Sequence, residues 1–302
     1  MKNIFTSLFA AIILLLSGKS FAQVTITSSD SITCTNLCTT LTANVIGDTP
    51  TIAGITTDDF FNSIPNPIGF TFIFYGIPYT QCLIGPNGNV DFNISLAGAH
   101  TAWEILGPLL GNATVFNTIC GPWCDILEPA GGSIAYSTDG VAPNRKFVVT
   151  YCHDAMFSCT TQYTTSQIIM YETTNIVEVH LAHKDICTNW NPGPDTPPDG
   201  GRAIIGVQNA TGTSATVAPG RDWIPVWSAT NEAWRFTPNA TGSSYAVSSI
   251  LYAPIPFESS SVYWYNASTG AYISTGTSIT VCPTSTTTYK AAALGCSDTS
   301  FA

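Results

Sequence analysis

Hydrophobic and polar residues alternate along most of the chain between residues 66 and 238. In residues 70–74, phenylalanine occupies every second position and falls on one face of an extended segment. A period of two is typical of a β-strand that buries one face. The only helix-compatible segment, residues 99–110, is interrupted by Pro108. The pattern predicts an all-β fold, with a β-sandwich domain over residues 51–239.

Two β-hairpins stand out in this pattern. Residues 82–92 (CLIGPNGNVDF) read as two short strands around a Pro-Asn-Gly turn, in which Gly88 supplies a positive φ. Residues 166–183 (SQIIMYETTNIVEVHLAH) read as a longer hairpin. Its second strand places valines on one face and Glu178 and His180 on the other.

The predicted sandwich is flanked by two segments of different character. Residues 23–50 are a Thr- and Ser-rich lead-in that contains one predicted strand. Residues 240–302 predict a small Ig-like or PKD-like β-sandwich module, because Trp264 lies in an early strand and Cys282 and Cys296 follow as a pair. The chain ends soon after Cys296, where such a module needs another strand. We therefore expect a truncated module and a longer natural protein.

Residues 1–22 have the layout of a secretory signal peptide. Lys2 supplies the positive charge, an apolar run covers residues 8–16, and small residues occupy the −3 and −1 positions before Gln23. The apolar run is shorter than the roughly 20 residues that a membrane-spanning helix needs. The segment predicts a secreted or cell-surface protein without membrane insertion.

Composition and charge narrow the range of partners. Hydrophobic residues make up 45% of the chain, which is enough for a sizeable core, and charged residues make up only 9%. The formal net charge is −10. A duplex nucleic acid needs a basic surface that displaces its counterions, and an anionic membrane attracts basic segments. The acidic balance therefore excludes nucleic acid and leaves an extracellular glycan or protein as the expected partner.

All ten cysteines follow the predicted cleavage site. An even number in an exported chain indicates disulfides. Zinc is the competing interpretation, but the spacing in CGPWC (residues 120–124) is one residue longer than in a zinc knuckle. Cys159 and Cys187 bracket the long hairpin and are expected to pair. Two further expected pairs are Cys282 with Cys296 and Cys34 with Cys38. The pairing stays open among Cys82, Cys120, Cys124 and Cys152.

Paired carboxylates are the main candidates for catalysis, because a glycosidase needs two of them about 5–10 Å apart in a cleft. The candidate pairs are Asp58 with Asp59, Asp125 with Glu128, and Glu172 with Glu178. All of them lie in predicted turns, loops or hairpin ends, where solvated acidic residues are common. The sequence contains no nucleophile elbow, zinc-protease helix, phosphate loop or dinucleotide fingerprint. We predict that the chain has no catalytic residue and is not an enzyme.

Loop residues suggest two kinds of binding. Trp190, Trp223 and Trp227 lie in or near loops, where they would suit stacking against a ligand, and capping of the core is the alternative. Loop aspartates offer the oxygen ligands that calcium prefers, but they form no regular repeat. These aspartates are Asp125, Asp139, Asp195, Asp199 and Asp222. No cofactor or metal is predicted, with calcium as an open alternative.

Several segments within residues 56–239 resemble large surface proteins of Bacteroidota that are associated with gliding motility and type IX secretion. The matching segments include FTFIFYGIPYTQCLIGPNGNVDF, GPWCDI, APNRKFVVTY, SQIIMYETTNIVEVHLAHKDIC and NEAWRFTPN. Parts of them also resemble the extracellular nidogen-type domain, and the tail YWYNASTGAYIST resembles PKD or Ig-like repeats. The resemblance implies an extracellular β-sandwich followed by such repeats. It also implies attachment to the outer-membrane surface through a C-terminal sorting domain that this sequence lacks.

These observations predict a structural or adhesive binding module of the cell surface, which presents loops to a glycan or a protein. The alternative is a secreted hydrolase or its carbohydrate-binding accessory module. A cleft with two carboxylates, one of them with a raised pKa, would favour the hydrolase. A loop face without such a pair would favour the binding module.

Overall fold

The computed structural model of the chain describes residues 24–28, 38–45, 51–53, 55, 57–190, 201–255 and 262–293. The predicted signal peptide and most of the Pro- and Gly-rich loop after Trp190 lie outside these ranges. Within them, the helical elements are two single-turn 3-10 helices, Ile94–Leu96 and Glu128–Ala130. The all-β prediction is confirmed. No described helix has the length and hydrophobicity of a membrane span.

Nineteen β-strands carry the architecture of the described residues. They are β1 (Val24–Ser28), β2 (Thr39–Val45), β3 (Thr51–Ile52), β4 (Asn66–Phe74), β5 (Ile77–Gly85), β6 (Asn89–Asp91), β7 (Thr118–Trp123), β8 (Ser133–Asp139), β9 (Lys146–Met156), β10 (Cys159–Tyr171), β11 (Val177–Lys184), β12 (Ile204–Gln208), β13 (Ala215–Val217), β14 (Ala229–Pro238), β15 (Tyr245–Ile250), β16 (Val262–Asn266), β17 (Tyr272–Thr275), β18 (Ser278–Val281) and β19 (Tyr289–Ala293). Adjacent strands pair antiparallel throughout.

Two sheets form the predicted sandwich. One has seven strands in the order β15-β14-β11-β10-β9-β8-β3, and the other has six in the order β13-β12-β7-β6-β5-β4. Their facing side chains form one hydrophobic core, to which Phe72, Phe74 and Phe92 contribute from the six-stranded side and Ile168 and Val179 from the other. Strand β4 alternates strictly between buried and exposed positions, as its sequence pattern predicts.

Both predicted hairpins form. Strands β5 and β6 pair around the Pro-Asn-Gly turn, where Gly88 has a φ of 80°. A Cβ on Gly88 would lie 1.9 Å from the carbonyl oxygen of Pro122, so only glycine fits. In the longer hairpin, Ile168 of β10 pairs with Val179 of β11. The polar residues of β11, such as His180, lie on the outer face of the seven-stranded sheet, opposite the core.

The second module is built from both ends of the chain. It consists of two three-stranded sheets, β1-β2-β18 and β17-β16-β19. Trp264 is fully buried between them, together with Ala43 from β2 and Ile279 from β18. The predicted division into a separate lead-in (23–50) and a C-terminal module (240–302) therefore needs correction. The lead-in supplies two strands to the module, because they pair with β18 in the sheet that covers Trp264.

The boundary after residue 239 also differs from the structure. Strand β15 pairs with β14, and its Tyr245 is buried in the core of the sandwich. Residues 251–255 then run over the outer face of the seven-stranded sheet. The side chain of Gln167 exchanges two hydrogen bonds with the backbone of Ile255, at 2.7 and 2.9 Å, and the backbone N–H of Ala253 donates to His180 Nδ1. The sandwich therefore extends to Ile250, and the connection to the module is anchored on it.

The disulfides follow this discontinuous topology. Cys159 pairs with Cys187, as the sequence predicts. Cys38 pairs with Cys282, 244 residues away, so the predicted pairs Cys34–Cys38 and Cys282–Cys296 are wrong. The reason is the antiparallel pairing of β2 with β18, which brings the two cysteines side by side. Cys34 and Cys296 lie outside the described residues.

The four remaining cysteines do not pair with one another. Cys82, Cys120 and Cys124 are buried free thiols, whereas Cys152 is disulfide-bonded. Cys82 and Cys124 lie in the sandwich core, while Cys120 lies on the opposite face of the six-stranded sheet. This separation also rules out Cys120 and Cys124 as joint ligands of one zinc ion. Burial raises the pKa of the Cys124 thiol to about 11, although Lys184 opposes the shift.

Candidate functional site

A long connection between β6 and β7, residues 93–117 and hereafter the covering loop, packs on the outer face of the six-stranded sheet. Its Ile105 and Leu109 are buried against Trp123 and Ile204 of that sheet. The sequence makes residues 99–110 helix-compatible, but no helix forms there. The backbone polar groups of this loop bond to other backbone groups and to side chains of the sheet and the neighbouring loops.

Side chains from much later in the sequence hold the second half of the covering loop. Gln208 of β12 is fully buried, and its Oε1 accepts a hydrogen bond from Gly111 N–H at 3.2 Å. Its Nε2 donates to the carbonyl oxygen of Asn112 at 3.4 Å. Asp222 Oδ1 accepts from Leu109 N–H at 3.2 Å. Buried backbone groups need such partners, so these two side chains fix the path of the loop.

The first half is held at two carbonyl groups. The Trp123 indole donates to the carbonyl oxygen of Ala102 at 2.8 Å, and Asn87 Nδ2 donates to the same oxygen at 3.3 Å. Arg202, which is buried, donates to the carbonyl oxygen of Ile105 at 2.9 Å. The covering loop is therefore an anchored part of the fold along its whole length.

A cavity of about 410 Å³ remains between the covering loop and the sheet. Strands β5 and β6 supply Tyr79 and Asp91, and the covering loop supplies His100 and Phe116. Ala210, in the hairpin loop between β12 and β13, also borders it. This volume lies within the range of pockets that bind small ligands. We call it the Asp91 cavity.

Asp91 is the acidic group of this cavity. It lies in β6 between Leu83 of β5 and Thr118 of β7, and it is only 4% exposed. Its Oδ1 accepts a hydrogen bond of 2.6 Å from Asn93 N–H. Burial disfavours the charged form and raises the pKa of Asp91 to about 7, although the Asn93 hydrogen bond opposes the shift. Near neutral pH the carboxyl group is therefore poised between its two protonation states.

Polar groups accompany Asp91 in the lining. Asn117 has a left-handed backbone (φ 54°), and its Nδ2 donates to the Tyr79 hydroxyl at 2.9 Å. Thr101 is buried, and its hydroxyl has no hydrogen-bond partner among the described residues. An unsatisfied buried hydroxyl is costly, so Thr101 has an unused hydrogen-bonding capacity at the cavity wall.

Aromatic rings complete the wall. The rings of Tyr79 and Phe92 lie 4.7 Å apart, and Phe61 and Phe116 also border the cavity. Phe116 borders the cavity and is 38% exposed to solvent. Among the described lining residues there is one carboxyl group and no Lys or Arg. The site combines aromatic residues, amide and hydroxyl groups, the His100 imidazole and one carboxyl group.

The first sequence-predicted carboxylate pair lies close to this site without lining it. Asp59 Oδ1 accepts a hydrogen bond of 2.8 Å from Asn87, and the Asp59 carbonyl accepts from Thr101 N–H. Burial, together with the neighbouring Asp59, raises the pKa of Asp58 to about 6. The Asp59 backbone carbonyl holds the segment before β4 against the covering loop, and neither carboxylate lines the Asp91 cavity.

Glu172 and Glu178, another of the predicted carboxylate pairs, each form a separate ion pair with an arginine. Glu172 accepts two hydrogen bonds from the Arg145 guanidinium, at 2.6 and 2.9 Å. Burial opposes ionisation of Glu178, but hydrogen bonds from His180, Tyr171 and Arg235 outweigh it and lower its pKa to about 2. Both carboxylates are therefore committed to fixed partners.

The predicted ligand-contact tryptophans take different positions. Trp227 is buried between the Lys184 ammonium and the Arg221 guanidinium, so the prediction that it contacts a ligand is wrong. Trp223 is half-buried beneath Arg202. Trp190 is also half-buried, with the rings of Phe157 and Trp103 at 4.6 and 6.0 Å. For these two residues, ligand contact stays a prediction.

The candidate calcium ligands are not assembled in the described part of the chain. Asp195 and Asp199 lie outside it, and Asp222 accepts hydrogen bonds from the backbone of Leu109 and Trp223. Within the described ranges, no three His, Cys, Asp or Glu side chains are arranged to hold a metal ion.

Sequence reasoning missed Asp91 as a site residue. The usable signal was a carboxylate inside a strand, followed by a connection of about 25 residues whose secondary structure is a single 3-10 turn. Loops of this length in a compact domain often carry function. The sequence alone does not show that the loop folds back over that strand.

Comparison with known proteins agrees with the nidogen-type resemblance. The family model described as NIDO-related matches residues 31–248. No curated protein and no solved structure matches the chain. The match ends inside β15 and includes the Asp91 cavity, and a NIDO-type domain with disulfides is typical of an extracellular protein. Because the match covers more than half of the 302 residues, the chain belongs to the NIDO-related family.

Proposed function

We propose that the chain is a non-catalytic binding module of an extracellular surface, and that it holds one group of a glycan or protein ligand in the Asp91 cavity. The observation that supports this proposal is a preformed cavity that contains a single buried carboxyl group. Gln208, Asp222 and Trp123 anchor the loop that covers it. Binding functions are commonly placed on loops that a rigid β-scaffold supports. The predicted signal peptide and the surface-protein resemblance support a narrower proposal, an adhesive role on the surface of a gliding bacterium.

Two hairpin loops of nearly identical sequence give a matched pair of test positions. Residues 209–214 (NATGTS) and 239–244 (NATGSS) have the same internal hydrogen bonds, from the N–H of the fifth residue to the first Asn side chain at 3.0 and 2.9 Å. Their second residues, Ala210 and Ala240, are both exposed. Ala210 borders the Asp91 cavity, whereas Ala240 does not.

We expect Ala210→Trp to block the cavity and to weaken ligand binding at least tenfold, because an indole at this position covers the opening. Wild-type protein and variants, as oxidised residues 23–302, are to be titrated on arrays of glycans and extracellular-matrix proteins. Ala240→Trp is the control and should bind like the wild type. Equal binding by all three proteins would show that the cavity is not the site.

A secreted hydrolase is the second candidate, because Asp91 combines a cavity position with a raised pKa, as general acids do. The arrangement supplies one half of a glycosidase pair, and the described lining offers no second carboxylate. Hydrolysis of 4-nitrophenyl glycosides or esters that is lost in Asp91→Asn would favour the hydrolase. We expect no turnover above that of Asp91→Asn.

A further inference from the structure

We infer that the Asp91 cavity is selective for a cationic ligand group, an alkylammonium or quaternary ammonium. This inference rests on the proposed function and adds the chemical class of the group that the cavity takes. Three observations carry it: the charge of the lining, the character of its walls and the size of the cavity.

The charge of the lining is unbalanced. Asp91 is almost completely buried, and no Lys or Arg among the described residues borders the cavity. A buried carboxylate is stabilised only when a positive charge or several hydrogen bonds accompany it. Glu178, another buried acid of the sandwich, has such a partner in Arg235, at 2.7 Å from Nε to Oε1. Among the described residues that border the cavity, His100 is the basic side chain, and no Lys or Arg accompanies Asp91. A ligand cation would therefore supply the charge that Arg235 supplies to Glu178.

The walls suit a cation that carries carbon substituents. The aromatic residues Phe61, Tyr79, Phe92 and Phe116 border the cavity. The face of an aromatic ring attracts a cation, and alkylated ammonium groups also gain from contact with apolar carbon. An anionic ligand would meet the Asp91 carboxylate and the negative ring faces together. A neutral sugar would use the polar groups but would leave the carboxylate unpaired.

The size of the cavity limits the ligand to one such group. About 410 Å³ holds a choline-sized or butylammonium-sized group but not a folded chain segment. Two residues that border the cavity, Phe116 and Ala210, are also exposed, so the rest of a larger ligand can remain in solvent. The ammonium group can therefore belong to a small molecule, an amino sugar or a side chain, and the probes below separate these sources.

The test compares isosteric probes by titration calorimetry with oxidised residues 23–302. Choline and its neutral carbon isostere, 3,3-dimethylbutan-1-ol, differ only in charge. n-Butylammonium represents a lysine side chain, and glucosamine with glucose represents the amino-sugar source. We expect at least one ammonium probe to bind tenfold or more tighter than its neutral counterpart.

Variants assign the effect to the cavity. Asp91→Asn should weaken ammonium binding at least tenfold and leave the neutral probes unchanged. Phe116→Leu keeps the apolar volume but removes a ring, and it should weaken binding about two- to fivefold, the size of an exposed cation–π contact. Glu104→Gln is the control, because Glu104 belongs to the same covering loop and does not line the cavity.

The outcomes separate this inference from the proposed function. Equal affinity for choline and its neutral isostere, unchanged choline binding in Asp91→Asn, or no binding of any ammonium probe at millimolar concentration would overturn the ammonium inference. The proposed function fails by a different result, namely array binding that survives Ala210→Trp. A neutral ligand that is lost in Ala210→Trp would retain the proposed function alone.

Discussion

Deletion of the two N-terminal strands is expected to unfold the second module and to leave the sandwich folded. Strands β1 and β2 supply two of the three strands of one module sheet, and their loss leaves β18 without a partner. The fully buried Trp264, together with Val262 and Ile279, would then face water. Full burial of one such side chain contributes about 1.5–3 kcal/mol, so the loss exceeds what so small a module can withstand.

Heteronuclear NMR on protein with labelled indole groups measures this directly. In residues 23–302 the Trp264 indole N–H, which donates to the Gly276 carbonyl at 2.8 Å, should give a dispersed and exchange-protected signal. In residues 46–302 that signal should move to the random-coil position, while the Trp227 and Trp123 signals of the sandwich stay in place. Retention of the Trp264 signal would show that residues 251–302 fold without the N-terminal strands.

A separate variant tests the disulfide. Cys38→Ala with Cys282→Ala removes a cross-link over 244 residues, and the loss of chain entropy sets its maximum contribution at about 5 kcal/mol. We expect this variant to keep the module fold but to lower its unfolding midpoint in urea. The matched control removes Cys159 and Cys187, whose bridge spans 28 residues of the sandwich. That variant should leave the module midpoint unchanged.

The predicted fold differs from the observed fold where residues far apart in the sequence interact. The strands and hairpins of the sandwich could be predicted, because alternation and turn residues such as Gly88 act over a few positions. The module could not be assembled correctly, because β2 pairs with β18 across more than 200 residues. The residue pattern of one strand does not identify a partner strand at that distance. Sequence reasoning therefore pairs each cysteine with its nearest neighbour instead.

The Asp91 cavity escaped sequence reasoning for the same reason. The anchors of the covering loop come from positions far along the chain, since Asp222 holds Leu109 over a separation of 113 residues. Asp91 itself occupies an ordinary polar position of an alternating strand, which predicts a solvent-facing carboxylate. Its burial arises only when the covering loop closes over the sheet. For Trp227 the error has the opposite sense, because this residue lies near a predicted loop in the sequence and is buried in the fold.

Stability is expected to fall as the pH rises from 5 to 7.5, and Asp91 is expected to account for much of the change. In the unfolded chain, aspartate has a pKa near 3.9, whereas burial raises the pKa of Asp91 to about 7 in the folded chain. Between these two pKa values, the folded state binds more protons than the unfolded state. The stability that comes from this protonation is lost as the pH rises through the folded pKa. Over this window Asp91 alone contributes up to about 3 kcal/mol, at 1.36 kcal/mol per pH unit.

Other titratable groups change the stability over the same pH range or over a different one. Burial also raises the pKa of Asp154 well above its usual range, with Glu128 adding to the shift, so Asp154 extends the same trend. Hydrogen bonds lower the pKa of Glu178 to about 2 despite its burial, so its contribution is lost only below about pH 4.5. Burial lowers the pKa of Lys184 to about 8, so Lys184 remains protonated in both states up to about pH 7. Maximum stability is therefore expected near pH 5.

Urea unfolding at pH 5, 6 and 7.5 measures the slope. Asp91→Asn should be more stable than the wild type at pH 7.5 and should lose about half of the pH dependence, because the amide needs no proton in either state. Asp91→Asn with Asp154→Asn should lower the slope further and leave the part that comes from Asp58, whose pKa burial raises to about 6, whereas Glu104→Gln should retain the wild-type slope. A wild-type unfolding free energy that is constant from pH 5 to 7.5, or an equal slope in Asp91→Asn, would mean that Asp91 ionises freely. The cavity would then be hydrated and its carboxylate already compensated, and the physical basis for its preference for a cation would be lost.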